Sequence, residues 1–214
     1  PKQNFEVNIW NCFKNRYNKI HKAKKEQFES DYKLEHAKTF SELKQKNIIL
    51  SNQSAFDHLK TLDDNSIDYI ITDPPHGDRL PYLELSLMWN SWLQFKPKFE
   101  KELVVSNAKS RDKNVDNYNI FFKSILIEIS RVLKRNKSFT LMFNSLDDKN
   151  WKSILEIIYQ SELKLKKIET LSYSANSVVQ DNRKQGLETD FVLHFTKTSK
   201  KSSKLLTLSS KDED

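Results

Sequence analysis

The stretch Tyr69-Ile70-Ile71-Thr72-Asp73-Pro74-Pro75-His76-Gly77 joins an apolar run to an acid, two prolines and one of the two glycines in the chain. In an open α/β sheet, ligands bind outside the carboxyl ends of the strands, so an acid at such an end is placed for chemistry. This residue set suits a reaction at an exocyclic amino group whose lone pair is delocalised into a base ring. A carboxylate oxygen and a backbone carbonyl that both accept its N–H bonds draw the nitrogen towards tetrahedral geometry and aim its lone pair at an electrophile. Asp73 supplies the first acceptor. The Pro74 carbonyl supplies the second, its direction stiffened by consecutive proline rings. The imidazole of His76 offers a flat surface for a base extruded from its helix, and Gly77 permits close approach of the backbone to a ligand. Asp-Pro-Pro alone can equally end a strand and open a loop, so the neighbouring elements must decide.

Those elements alternate. Ile9, Phe13, Tyr17 and Ile20 fall at helical spacing and predict an amphipathic helix over residues 8–29, its apolar stripe packed against the domain. Residues 30–46 are charged and aperiodic. A buried strand is expected at 47–52, then a short helix over 54–62 with Ser54 as its N-cap. A second buried strand ends at Asp73, followed by a helix with Pro81 in its first turn. Residues 94–118 read as a long basic loop. A helix over 119–134, a strand at 138–145, a helix over 148–160 and strands at 163–171 and 190–197 complete the pattern. The alternation predicts an α/β fold with a largely parallel sheet covered on both faces. Trp89 and Trp92, three apart on one helix, are expected in the core, as is Cys12.

Composition narrows the partner. In 214 residues, 36 Lys and Arg against 29 Asp and Glu leave a formal net charge of +7. That balance suits a polyanion such as DNA or RNA, and equally a lysine-rich genome. Lys109, Arg111 and Lys113 in the basic loop, with Asn176, Gln180 and Arg183 in the late polar stretch, are candidate nucleic-acid contacts. The cations would position the phosphates, and the amides and Arg183 would read base edges. A lone cysteine excludes an intrachain disulfide and points to a reducing interior. No apolar run approaches bilayer length, and no histidine spacing suggests a metal, so neither membrane nor metal is expected. Three segments are expected: an N-terminal helix and connector (1–46), the site-bearing domain (47–198) and a tail (199–214).

The residues around Asp73 resemble motif IV of the amino-group nucleic-acid methyltransferases, usually Asp-Pro-Pro-Tyr. "TDPPHGDRLPYLELSLMWNSWL" is similar to one DNA methylase subgroup of that family. The subgroup also has an upstream "NIW..F..R" helix, matched by Asn8, Ile9, Trp10, Phe13 and Arg16. It further has an "RVLK" helix end (Arg131–Lys134), the strand "FTLMFNS" and a late "G..TDFVL.F" strand (Gly186–Phe195). The resemblance spans about residues 8–197. It implies a class I, Rossmann-like fold with sheet order 3-2-1-4-5-7-6. It also implies methyl transfer from S-adenosylmethionine to adenine N6 or cytosine N4 of DNA, in a prokaryotic cytoplasm. Asp73, Pro74 and Pro75 match the amino-group clamp, and His76 stands where the family has its stacking Tyr. Asn52 and Ser54 fall at the strand end where family members contact the cofactor's adenine.

The family's Gly-rich cofactor turn has no counterpart, since Gly77 and Gly186 are the only glycines and neither lies in a strand-turn-helix of that kind. In the family that turn precedes the "NIW" helix. Strands 3 to 7 of the class I sheet are therefore expected here, and strands 1 and 2, with the cofactor loop, in a second chain or segment. A split, heterodimeric methyltransferase follows from this reading. A non-catalytic DNA-binding subunit and a tRNA guanine-amino methyltransferase are the alternatives.

Overall fold

The computed structural model describes residues 8–30, 33–75, 80–145, 148–172 and 189–199. They form two compact units divided after Asn52. In the first, Asn8 caps helix α1 (Ile9–Glu29), its side chain accepting from the Asn11 amide at 3.0 Å. Every residue of α1 is exposed, including the stripe expected to pack and Cys12. Trp10 and Phe13 stack on one another instead, with ring centroids 5.8 Å apart. Two-residue strands β1 (His36–Ala37) and β2 (Ile48–Ile49) pair in parallel. Residues 47–52, expected as a full strand of the main sheet, contribute only β2. Asn47 ties the intervening excursion shut, its side chain accepting from the Glu35 amide and donating to the Lys33 carbonyl.

The second unit holds α2 (Ala55–Lys60), β3 (Ile67–Thr72), α3 (Tyr82–Leu85), α4 (Leu87–Trp92), α5 (Val115–Val132), β4 (Leu133–Phe143), α6 (Asp148–Gln160), β5 (Leu163–Ser172) and β6 (Thr189–Lys197). Its sheet has the order β3-β4-β6-β5, with β3 and β4 parallel and β6 antiparallel to both neighbours. The fold is α/β, and in chain order its sheet corresponds to the 4-5-7-6 part of the strand order that the resemblance implies. Alternation along the strands sends Phe139, Leu141, Phe143, Leu193 and Phe195 to one face. There they meet Tyr118, Phe122, Leu126 and Ile129 of α5 and Ile154 and Ile157 of α6.

The helix expected to end near Lys134 stops at Val132, and the chain passes directly into β4. Asp68 of β3 explains how a basic run continues as a strand, since it accepts Lys134 at 2.7 Å and pairs with Lys137 at 3.1 Å. These partners hold the Asp68 carboxyl below its ordinary value, Lys134 having the larger effect.

Arg131 closes the opposite end of the unit from Asp73. Its guanidinium donates to the Leu59 and Leu62 carbonyls at 2.8 and 2.9 Å and to Glu128 at 2.9 Å, and it also pairs with Asp64. Hydrogen bonds to Asp64 and Glu128 raise its pKa. Beside it, Lys197 is only 4% exposed and donates to the Asn65 side chain and the Leu133 carbonyl at 2.9 and 2.8 Å. Burial depresses the Lys197 pKa, partly offset by Glu162. Arg131→Met keeps the apolar stem but leaves two helix-end carbonyls without a charged donor. It is expected to lower unfolding free energy by about 2–3 kcal/mol, read from urea denaturation.

On the face away from the core, a hydrogen-bonded row crosses all four strands. Tyr69 Oη lies 2.7 Å from Thr140 Oγ1, which lies 3.0 Å from His194 Nδ1; His194 Nε2 lies 2.9 Å from Glu169, which also pairs with Lys167. Lys167 first, and then His194, hold the Glu169 carboxyl below its ordinary value. Tyr69 and Ile71, on the same face of edge strand β3, are 53% and 59% exposed.

Candidate active site

The apolar run 67–72 forms β3 because its branched and aromatic residues suit a pleated strand, and because Ile70 packs on the core. Pairing of Thr72 with Leu141 carries the strand to its last residue. Asp73 follows at the carboxyl end, exposed, while Pro74 is buried and Pro75 half-buried. A carboxylate that reaches solvent from a turn anchored by a buried proline is accessible to a ligand, yet rooted in the fold. His76 lies outside the described residues.

Pro75 meets a residue that sequence reasoning missed. The Tyr118 hydroxyl donates to the Pro75 carbonyl at 2.6 Å, and Tyr118 itself is 2% exposed. It sits in the first turns of α5, where the Asn114 cap accepts from the Asn117 amide at 2.8 Å and Asn117 donates to the Asp112 carbonyl. Its ring lies 5.8 Å from Phe122, which stacks on Phe143 at 5.6 Å. Tyr118 was expected in the basic loop 94–118, but α5 starts at Val115 and places it at the head of the buried stripe Tyr118, Phe122, Leu126 and Ile129; the available signal was that helical spacing, which extends one residue before the expected helix.

The segment between the Asp-Pro-Pro turn and α5 is built rather than loose. The Leu83 amide donates to Glu102 at 2.9 Å, Arg111 pairs with Glu84 at 3.3 Å and lies over the Phe99 ring, and Lys113 donates to the Glu100 and Glu102 carbonyls. Burial lowers the Lys113 pKa, opposed by Glu102 and Glu100. Arg111 and Lys113 thus hold this lobe together, whereas Lys109 is exposed. Glu102, Leu103, Arg111, Lys113, Tyr118 and Phe121 help line a cavity of about 340 Å³. Asn176, Gln180 and Arg183 lie outside the described residues.

Asn52 closes the first unit and is exposed; Ser54, in the second, stands at the N-cap position of α2 without a side-chain capping bond. Trp89 and Trp92, expected in the core, are 63% and 84% exposed. Leu85, Met88, Leu93 and Phe95 are exposed with them, which makes the α3–α4 stretch an apolar surface larger than isolated exposed side chains require.

Several solved structures match part of the chain. PvuII DNA methyltransferase (cytosine-N4-specific) is 14% identical with a TM-score of 0.46, the match covering 68% of this chain and 48% of that one. A protein described as a DNA modification methylase from Thermus thermophilus is 10% identical with a TM-score of 0.40, covering 71% and 55%. M1.HpyAVI, solved in complex with SAM, is 14% identical with a TM-score of 0.36, covering 69% and 54%. The chain spans about half the length of these structures. No family model and no curated protein matches it.

Proposed function

We propose that this chain is the amino-group-binding half of an S-adenosylmethionine-dependent DNA methyltransferase, acting on adenine N6 or cytosine N4. The observation that carries the reading is the emergence of an exposed Asp73, next to a buried Pro74, at the carboxyl end of β3 in a sheet of order 4-5-7-6. Asp73 accepts one N–H bond of the target amino group and the Pro74 carbonyl accepts the other, so that the nitrogen lone pair is freed from the ring. His76 stacks on the extruded base. When bound, S-adenosylmethionine supplies a methyl group made electrophilic by its sulfonium. The proton lost from nitrogen leaves along the hydrogen bond to Asp73, and no covalent bond to the protein forms. Lys109, Arg111 and Lys113, with Asn176, Gln180 and Arg183, contact the DNA.

The chain's own residues fit the acceptor side of this reaction and only part of the cofactor side. By the resemblance, Asn52 and Ser54 would touch the adenosine end, while two glycines in 214 residues leave the methionine end without a Gly-rich turn. A second polypeptide, or a further segment, supplies that turn. In support, β3 is an edge strand of the sheet among the described residues, and parallel strands are ordinarily covered on both faces, yet Tyr69 and Ile71 stand exposed. The apolar α3–α4 surface is in keeping with such a partner.

Calorimetric titration tests this division. S-adenosylmethionine is expected to bind the chain mixed with the polypeptide encoded beside it, and not the chain alone. Binding to the chain alone would place a complete cofactor site within these residues; a silent mixture would favour a non-catalytic DNA-binding subunit.

A further inference from the structure

The hydrogen bond from Tyr118 to Pro75 does more than satisfy a buried hydroxyl, because of where it falls along the chain. The proline rings lock φ at Pro74 and Pro75. Each proline also confines the backbone of the residue before it, which restricts ψ at Asp73 and at Pro74. The soft torsions left are φ of Asp73, where the segment leaves β3, and ψ of Pro75, and rotation about either swings the carbonyl that Tyr118 holds at 2.6 Å. On the other side, the turn is tied to the sheet through the Thr72–Leu141 pair. Asp73-Pro74-Pro75 is therefore a stiff rod anchored at both ends. With the Tyr118 anchor removed, the rod keeps its internal shape but pivots about the end of β3, carrying the Pro74 carbonyl with it.

We propose that Tyr118 is a positioning residue for methyl transfer, whose hydroxyl fixes the aim of the Pro74 carbonyl by holding the carbonyl of Pro75. This rests on the amino-methyltransferase reading of Asp73 and Pro74. The anchor is itself rigid: the Asn114 cap sets the start of α5, and Phe122 and Phe143 back the Tyr118 ring. Tyr118 would touch neither the base nor the cofactor, so its removal should spare binding and slow the chemical step.

The test compares Tyr118→Phe, which removes only the hydroxyl, with Tyr118→Leu, which also removes the ring from the core. With carbonyl-¹³C proline incorporated, the five prolines give few signals, and the Pro75 resonance should move upfield in Tyr118→Phe as the hydrogen bond is lost. In methyl transfer by the chain with its neighbouring polypeptide, Tyr118→Phe is expected to lower kcat about tenfold to a hundredfold, the scale of a misplacement on the order of 1 Å. KM for DNA and for S-adenosylmethionine should stay at the wild-type values. An unmoved Pro75 signal would overturn the anchor itself. A shifted signal with wild-type kcat would overturn the positioning role and leave the methyltransferase reading intact. Equal losses in kcat and KM, matched by Tyr118→Leu, would reduce Tyr118 to a packing residue. An inactive wild-type complex would remove the methyltransferase reading and, with it, this inference.

Discussion

Asp73→Ala is expected to lower methyl transfer by at least about a thousandfold, with assembly and unfolding midpoint nearly unchanged. The loss is large because one substitution removes the acceptor that orients the amino group and the negative charge that faces the positive nitrogen formed on methylation. The cost in stability is small because Asp73 is exposed and lies past the last residue of β3, outside the packed core. Asp73→Asn retains one carbonyl acceptor without the charge and should fall between the two, about a hundredfold below wild type. Tritiated methyl incorporation into DNA, measured alongside urea denaturation of each variant, separates a lost clamp from a lost fold. Wild-type turnover in Asp73→Ala would remove the clamp role.

The second large effect is on stability. Phe122→Ala is expected to cost about 3–5 kcal/mol of unfolding free energy. Phe122 is almost fully buried and is flanked by Tyr118 and Phe143, while Phe143 makes an edge contact with Trp151 and Trp151 with Phe191. Removing its ring opens a void in the middle of an aromatic run that links α5 to β4, α6 and β6. Surrounding rings are too large and too well held to collapse into the space. The control is Trp92→Ala, a larger truncation at an exposed position, which should change unfolding free energy by no more than about 0.5 kcal/mol in the isolated chain. A urea midpoint for Phe122→Ala close to wild type would contradict the placement of the core.

Much of the fold was legible because the signal lay in local periodicity. The apolar runs at 67–72, 163–171 and 190–197 became β3, β5 and β6 nearly residue for residue, and α6 matched its expected span. Where a partner distant in sequence decides the conformation, pattern alone failed. The early residues of β4 carry Lys134, Arg135 and Lys137, which do not look like a buried strand until Asp68 is placed opposite them. Residues 47–52 have the composition of a strand, but two of them pair, and they do so with β1, which has too few residues to show any period.

The site divides in the same way. The position of Asp73 at a strand end could be read directly, since an apolar run that stops at Asp-Pro-Pro announces both the strand and its end. The intrachain contacts of Arg111 and Lys113 could not, because a run of cations carries no sign of the Glu84, Phe99 and two backbone carbonyls that engage them. Trp89 and Trp92 have helical spacing that fits a core helix, and only the fold reveals that this helix face is not covered by the described residues. Tyr118 was hidden because the helix was expected to start at residue 119 and left it in the basic loop, whereas α5 starts at Val115 and makes Tyr118 part of a core stripe.

The most direct test is to supply S-adenosylmethionine with a labelled methyl group and unmethylated duplex DNA to the chain together with its neighbouring polypeptide, then digest the DNA to nucleosides and identify the labelled product by mass spectrometry. Label on adenine N6 or cytosine N4, abolished by Asp73→Ala, is the predicted result. Label on a ring carbon, or labelled DNA that survives Asp73→Ala, would contradict an amino-group clamp at the end of β3.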